Sequence, residues 1–412
     1  METQVFQHVD FPTKKTVLDN GLTVFTADTG SRFALCSLVF DGGLWDDGDR
    51  TGVAHFLEHT LFEGPSRDGI HPRLRHLLAN GVKDGAETSL THTAYWVTGF
   101  AEHLVDMTTG LIGICADPSA ITNDAVDKER DVILQEVRQR ARQTDLRLNI
   151  FDRLYPGKYP RPAGRESDVR ELTADDLMRF YRTNYTAPRA VLIVTGGVVH
   201  DRIVEIANAS SLFAPGESRR SRPLQVPNRV RSDIVHEEVS TPEMEVYFPS
   251  SQDNLEFILL RYITDLLTFS PMSLLFQALR NDARLVYSVH ATIDEWPFAY
   301  FGIHTSASPD LHDRIESVIH EQIARIQLDD YPDEFFELLR THRLMSQIAR
   351  KEARDYEYQS NMLRRIWLEH DYQDVDWDAA VMSVTRDQIA ESARRWLNPE
   401  QAGCLRFMPV PH

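Results

Sequence analysis

Cysteine is scarce: Cys36, Cys115 and Cys404 are the only three in 412 residues, far apart and odd in number. That excludes the disulfide framework of a small secreted module, and the apolar stretches around all three suit buried free thiols in a reducing compartment. Long apolar runs are missing as well, since none approaches the ~18 residues of a membrane span. The opening METQVFQHVDFPTKK has neither a basic stretch leading into an apolar core nor the Arg-rich, acid-poor character of a transit peptide. Basic charge is short too, with 44 Lys and Arg against 62 Asp and Glu and a formal charge of −18. Phosphate backbones are held by cationic surfaces, so a nucleic-acid binder is excluded by charge. These absences predict a soluble cytoplasmic protein with no membrane and no nucleic-acid partner.

What is present is globular. A hydrophobic fraction of 42% with 9% aromatics supports a packed core rather than a disordered chain. The length exceeds one ordinary core and predicts two domains of about 200 residues each. Asn20-Gly21, between the apolar and β-branched residues of TVLDNGLTVFTAD, is a strong hairpin signal. RFALCSLVFDGG reads as a strand, and so does the Thr- and aromatic-rich AETSLTHTAYWVTGF, residues 86–100. Residues 124–142 form an uninterrupted helix with acids in the first turns and Arg in the last. YPGKYPRPAG, 155–164, is a loop rich in helix breakers. FAPGESRRSRPLQVPNRVRS, 213–232, lacks apolar periodicity and holds the interdomain linker, placed at 216–232. On either side of it, 173–196 and 385–409 repeat one plan at an offset of 212 residues: a Thr-x-Asp start, a helix, a Pro turn and an apolar strand. Duplication of an α+β unit follows from that repeat, giving domains 1–215 and 233–412.

The chemistry gathers in TGVAHFLEHTLFEG, residues 51–64. On a helix advancing about 100° per residue, His55 and His59 lie about 40° apart on one face, one turn from each other. Glu58 then lies about 60° to the far side of His55, beside any ion held by the pair. A His-x-x-acid-His pattern arises by chance in about one chain of this composition in ten, so its setting decides. Phe56, Leu57, Leu61 and Phe62 surround it with apolar groups, where polar side chains need partners and a metal supplies one. A catalytic zinc needs a third protein ligand. Helix 124–142 offers Glu129 and Glu136 on one face, next to the apolar Val132, Ile133 and Val137.

With HFLEH followed after 76 residues by Glu136 in the segment ERDVILQEV, the sequence resembles the pitrilysin/insulinase family of zinc peptidases, whose mark is H-x-x-E-H with a distant ligand glutamate. TVLDNGLTVF is similar to the family's opening strand, and AETSLTHTAYW to the strand on which relatives pair extended substrate. LRNDARLVYSV, 279–289, is similar to the segment carrying an Arg-Tyr pair, here Arg280 and Tyr287. There are departures. Gly85 stands where relatives usually carry Asn, Arg284 replaces a usual glycine and predicts a differently shaped loop, and the 155–164 loop lacks the usual His-Pro character.

The resemblance implies an α+β fold of two duplicated domains, each a mainly antiparallel sheet packed with helices, forming half of a clam-shell chamber. It implies one Zn²⁺ per chain on His55, His59 and Glu136, Glu58 as general base, and Glu129 orienting His55 or His59. Arg280 and Tyr287 would hold substrate and the developing oxyanion, unless Tyr287 merely packs beside Val286 and Val289. The edge at Gly85, Ala86, Glu87 and Thr88 would take a peptide by strand addition. The expected activity is that of a metalloendopeptidase acting on short or unfolded polypeptides in a homodimer. The alternatives are a heterodimer with a related subunit, a non-catalytic subunit, or a dedicated leader-peptide maturation protease.

Overall fold

The computed structural model describes residues 3–6, 11–63, 70–142, 153–156, 161, 163–209, 215–218, 220, 222–223, 225–236, 241–251, 253–293, 298–368 and 377–410. Half of the breaker-rich loop (157–160 and 162) and a quarter of the linker stretch (213, 214, 219, 221 and 224) lie outside the described residues. The chain divides into two compact units. The first comprises Met1–Asp145, Lys158–Ser221 and Arg350–His370; the second comprises Leu146–Gly157, Arg222–Ala349 and Asp371–His412.

Unit 1 is built on seven strands: β1 (Thr3–Phe6), β2 (Thr13–Val17), β3 (Thr23–Asp28), β4 (Phe33–Phe40), β5 (Lys83–Thr88), β6 (Thr93–Phe100) and β7 (Ala190–Gly196). Their order is β1-β2-β3-β7-β4-β6-β5. Only β3 and β7 run parallel. The β2–β3 hairpin turns where Asn20-Gly21 predicts it, with Gly21 at φ +94° and the Asn20 side chain accepting the Leu22 N–H at 3.0 Å. The helices are α1 (Val53–Glu63), α2 (Pro72–Ala79), α3 (Leu104–Cys115), α4 (Asn123–Arg142), α5 (Glu166–Glu171), α6 (Ala174–Asn184) and α7 (His200–Ala209).

Unit 2 has β8 (Arg231–His236), β9 (Glu243–Pro249), β10 (Val289–Ile293), β11 (Tyr300–Ser306) and β12 (Gly403–Pro409), in the order β10-β11-β9-β12-β8. Its helices are α8 (Asn254–Thr268), α9 (His312–Gln327), α10 (Asp333–Glu352, whose last turn crosses into unit 1), α12 (Trp377–Ser383) and α13 (Arg386–Trp396). A π-helical segment spans Phe276–Asp282. Between α10 and α12 in sequence lies α11 (Tyr356–Leu368), which belongs to unit 1. The linker stretch straddles the division, and its last two residues already pair in β8, Arg231 opposite Cys404 and Ser232 opposite Leu405.

The duplication is visible in the topology. From the parallel pair outward, unit 1 reads β3-β7-β4-β6-β5 and unit 2 reads β8-β12-β9-β11-β10. The parallel partners β7 and β12 both follow a helix that opens with a capping box, Thr173 with Asp176 and Thr385 with Gln388. The protein is therefore α+β with two sheets packed with helices.

Residues 86–100 are not one strand. They split into the end of β5, a turn at 89–92, and β6. No Gly or Pro marks this turn in the sequence; tertiary bonds fix it instead, as Leu44 N–H donates to Ser89 O at 3.0 Å and Trp45 N–H to Leu90 O at 2.9 Å.

Strand side chains alternate between faces. One face of the first sheet gives Val24, Cys36, Leu38, Tyr95 and Val194 to a core shared with Phe56, Leu57, Leu61, Leu111, Ile133 and Leu177. The opposite face carries Phe25, Val39, Val191 and Ile193, all fully buried. A cover for it comes from α11, which packs on β7, β4 and β3. The Thr195 hydroxyl donates to Tyr356 O at 2.7 Å, and Arg354 at the start of this segment donates to Gly30 O at 2.6 Å. The exchange is mutual: Tyr155, from the first half of the sequence, sits in unit 2 with its ring 4.5 Å from that of Phe298.

Candidate metal centre and substrate edge

Helix α1 begins where it does because its first N–H groups have assigned partners. Asp47 accepts from Gly52 N–H at 2.6 Å and Ala54 N–H at 2.8 Å, which satisfies orphan donors at the helix start. Burial pushes the Asp47 carboxyl up to about 7, against the pull of those N–H groups. Thr51 is pinned by Asp168, which accepts its N–H at 3.0 Å and its hydroxyl at 2.8 Å. Arg130 of α4 donates to the carbonyls of Val169 and Leu172 and lies 5.9 Å from the Phe56 ring, tying α4 to α1 and α5.

This framework brings His55, His59 and Glu136 together, with one ligand atom from each within 4.8 Å of the others. His55 Nε2 and His59 Nε2 both lie 3.6 Å from Glu136 Oε2. These are ion-pair distances, longer than the about 2.7–3.2 Å of a hydrogen bond. A tetrahedral ion with ligand bonds of about 2.0–2.2 Å separates its ligand atoms by about 3.3–3.6 Å. Both His–Glu separations match that value and the remaining pair lies within 4.8 Å, so this His₂Glu donor set could hold a metal ion. Glu129, 2% exposed, faces the other edge of the His59 ring, with Oε2 3.5 Å from Nδ1. Burial opposes charge on His59, but Glu129, Glu58 and Glu136 outweigh it and raise its pKa.

Glu58, one residue before His59, is mostly buried. Desolvation raises its pKa, partly countered by the Thr88 hydroxyl, which donates to Oε2 at 2.6 Å. Thr88 ends β5, an edge strand paired only with β6. Ala86, of the same parity, packs on the core beneath it. Gly85 and Glu87 face the other way. A Cβ on Gly85 would fall 2.5 Å from the ring of Trp96, its partner across the ladder, so Trp96 fills the space that an Asn side chain would need. Glu87 is engaged by His92 and by Arg364 of α11, and these partners, His92 foremost, lower its carboxyl to about 2. Sequence reasoning did not single out Asp47 or Arg364. Asp47 had a legible signal, an acid shortly before a predicted helix; Arg364 had none.

Arg280 and Tyr287 are neighbours in unit 2. The Arg280 guanidinium lies 5.0 Å from the Tyr287 ring and 4.8 Å from that of Phe276. Val286 and Val289 are buried, but Tyr287 is 81% exposed and precedes β10, so it is not a packing residue of a strand. Between the pair, Arg284 has φ +52°. It occupies the left-handed conformation open to glycine, and the replacement is absorbed as backbone strain at one residue.

Two family models match the chain: Insulinase (Peptidase family M16) over residues 22–159 and Peptidase M16 inactive domain over residues 171–342. The mitochondrial-processing peptidase subunit beta of Lentinula edodes is 34% identical over 203 residues, covering 47% of this chain and 43% of that protein. The chain thus spans under half the length of such curated relatives. A protease from Helicobacter pylori has the same fold, with a TM-score of 0.80 at 15% identity over 97% of this chain and all of that one. A peptidase M16 inactive domain from Pseudomonas fluorescens matches with a TM-score of 0.79 at 15% identity, over 97% of this chain and 98% of that one. With both models matched in order along the chain, it belongs to the insulinase (M16) peptidase family.

Proposed function

We propose that this chain is a zinc-dependent endopeptidase that hydrolyses short or unfolded polypeptides. The observation that carries this reading is the convergence of His55, His59 and Glu136 on the helix face that also carries the half-buried carboxylate of Glu58. A zinc ion held by those three would supply a water whose pKa is lowered toward ~7 and a Lewis acid for the scissile carbonyl. Glu58 takes a proton at its carboxylate and returns it to the leaving amine, a task suited to a carboxyl whose pKa burial has raised. Glu129 holds the His59 ring. The backbone of β5, from Gly85 to Thr88, takes extended peptide by strand addition, which reads main chain more than side chains. The Glu87 side chain makes no substrate contact, because its carboxylate is committed to His92 and Arg364. The exposed Tyr287 hydroxyl, with Arg280 beside it, holds substrate and stabilises the oxyanion.

Two chains would form the working chamber, in a cytoplasmic setting that suits three buried free cysteines. No helix among the described residues is long and apolar enough to cross a membrane. A second reading, one half of an unequal pair, is favoured by the curated relatives, which are named as beta subunits. Zinc analysis together with incubation of the purified chain with a mixed peptide library, with and without a chelator, tests both. About one zinc per chain and chelator-sensitive cleavage by the chain alone support the enzyme. Zinc without cleavage points to a missing partner, and neither zinc nor cleavage defeats the catalytic reading.

A further inference from the structure

The Thr88 hydroxyl is the one side-chain donor bonded to Glu58 in the described site, and its own position is fixed from several sides. Thr88 pairs across the ladder with Thr93, whose hydroxyl donates to Gly42 O at 2.8 Å. The turn that follows is closed by Ser89 N–H donating to His92 O at 2.8 Å, and it is bonded to the backbone of Leu44 and Trp45. Gly43 makes that approach possible, since a Cβ there would meet Ser89 O and lie 2.5 Å from His92 N. On the opposite face, the neighbouring Glu87 is held by Arg364 of α11. The hydroxyl is therefore a fixed stop set against a side chain whose last torsion is intrinsically broad and two-fold. One short hydrogen bond to Oε2 selects a single carboxylate orientation and leaves Oε1 to exchange the proton.

We propose that Thr88 is the positioning residue for Glu58, and that docking of an extended peptide along β5 readies the base through it. Thr88 offers its main chain to the open edge and its side chain to Glu58, so a substrate strand that immobilises the one immobilises the other. This inference rests on Glu58 being the base. It gives the Thr88 side chain a role in alignment, and it makes turnover depend on how far a peptide extends along the six residues of β5.

The test uses the full chain carrying T88V, T88A, T88S or E58Q. Zinc content, kcat and KM are measured with a peptide long enough to pair along β5 and with a truncated one. T88V keeps the β-branched shape and removes the donor; T88A removes it with less bulk and serves if Val does not fold. Loss of the hydroxyl should lower kcat on the order of 10–100-fold, as losses of orienting partners do, with KM and zinc content little changed. T88S should recover most of the rate, and the kcat advantage of the long peptide should vanish in T88V. Wild-type kcat in T88V or T88A overturns the proposal, as does T88S falling as far as they do, or a loss accounted for by lost zinc. The E58Q arm keeps the two readings apart: activity in E58Q removes the base itself, whereas an inactive E58Q beside a fully active T88V removes only the positioning role.

Discussion

The Glu129 carboxylate lies 3.5 Å from Nδ1 of His59, on the ring edge opposite the one that faces Glu136. A carboxylate there favours a proton on Nδ1 and leaves Nε2 as a lone-pair donor, which is the arrangement a metal ligand needs. Glu129→Gln should weaken zinc affinity on the order of 10–100-fold without emptying the site at saturating metal. His55→Ala and Glu136→Gln should strip the ion. Metal-buffered titration of the three variants checks the order, and a Glu129 variant emptier than the Glu136 variant would reverse the assignment along α4.

Glu58→Gln should keep one zinc per chain and lose peptide cleavage by about 10²–10⁴-fold, the range that general acid–base groups supply. Parallel metal analysis and peptide kinetics decide it. Near wild-type turnover would mean that another group moves the proton.

Glu87 gives a pH signature. Its folded pKa of about 2 lies below the ordinary 4.5, so its pairing stabilises the fold fully above about pH 4.5 and is lost as pH falls toward 2. Wild type should be more thermostable than Glu87→Gln at pH 7, and the gap should close between pH 4.5 and 2. A gap that persists unchanged at the acid end would mean that the pairing with His92 and Arg364 is not its source.

Tyr287→Phe should leave zinc content and melting temperature unchanged, because the side chain is 81% exposed and the ring can still meet Arg280. If the phenol is an oxyanion donor, kcat should fall on the order of 100-fold. Unchanged kcat would take Tyr287 out of the chemistry.

Arg284→Gly should relieve the left-handed backbone and raise stability by about 0.5–1 kcal/mol, seen as a higher denaturation midpoint. A lower midpoint would show that the Arg284 side chain contributes more than the strain costs.

Much of the site was legible because its members are local in sequence. His55, Glu58 and His59 share one helix, Glu129 and Glu136 share another, and Arg280 and Tyr287 are seven residues apart, so helical geometry or the resemblance reaches each set. The repeat at 173–196 and 385–409 was legible for the same reason, since capping chemistry is a short-range signal. What failed was non-local. The turn at 89–92 carries no breaker and is set by Leu44 and Trp45. The fit of Gly85 depends on Trp96 across the ladder, and Arg364 meets Glu87 from 277 positions away.

The exchanged helix α11 also sets a clock. A chain emerging from the ribosome completes α7 at residue 209, yet the segment that covers Phe25, Val39 and Ile193 ends only at residue 368. At about 5–20 residues per second, the roughly 160 intervening residues take about 10–30 s to synthesise. Through that interval the first sheet has one apolar face without its native cover, and the edge strand beside Glu58 lacks the Arg364 brace. The first unit thus reaches its finished state only after most of the second has been translated, so the candidate site and its braced edge strand are complete only then.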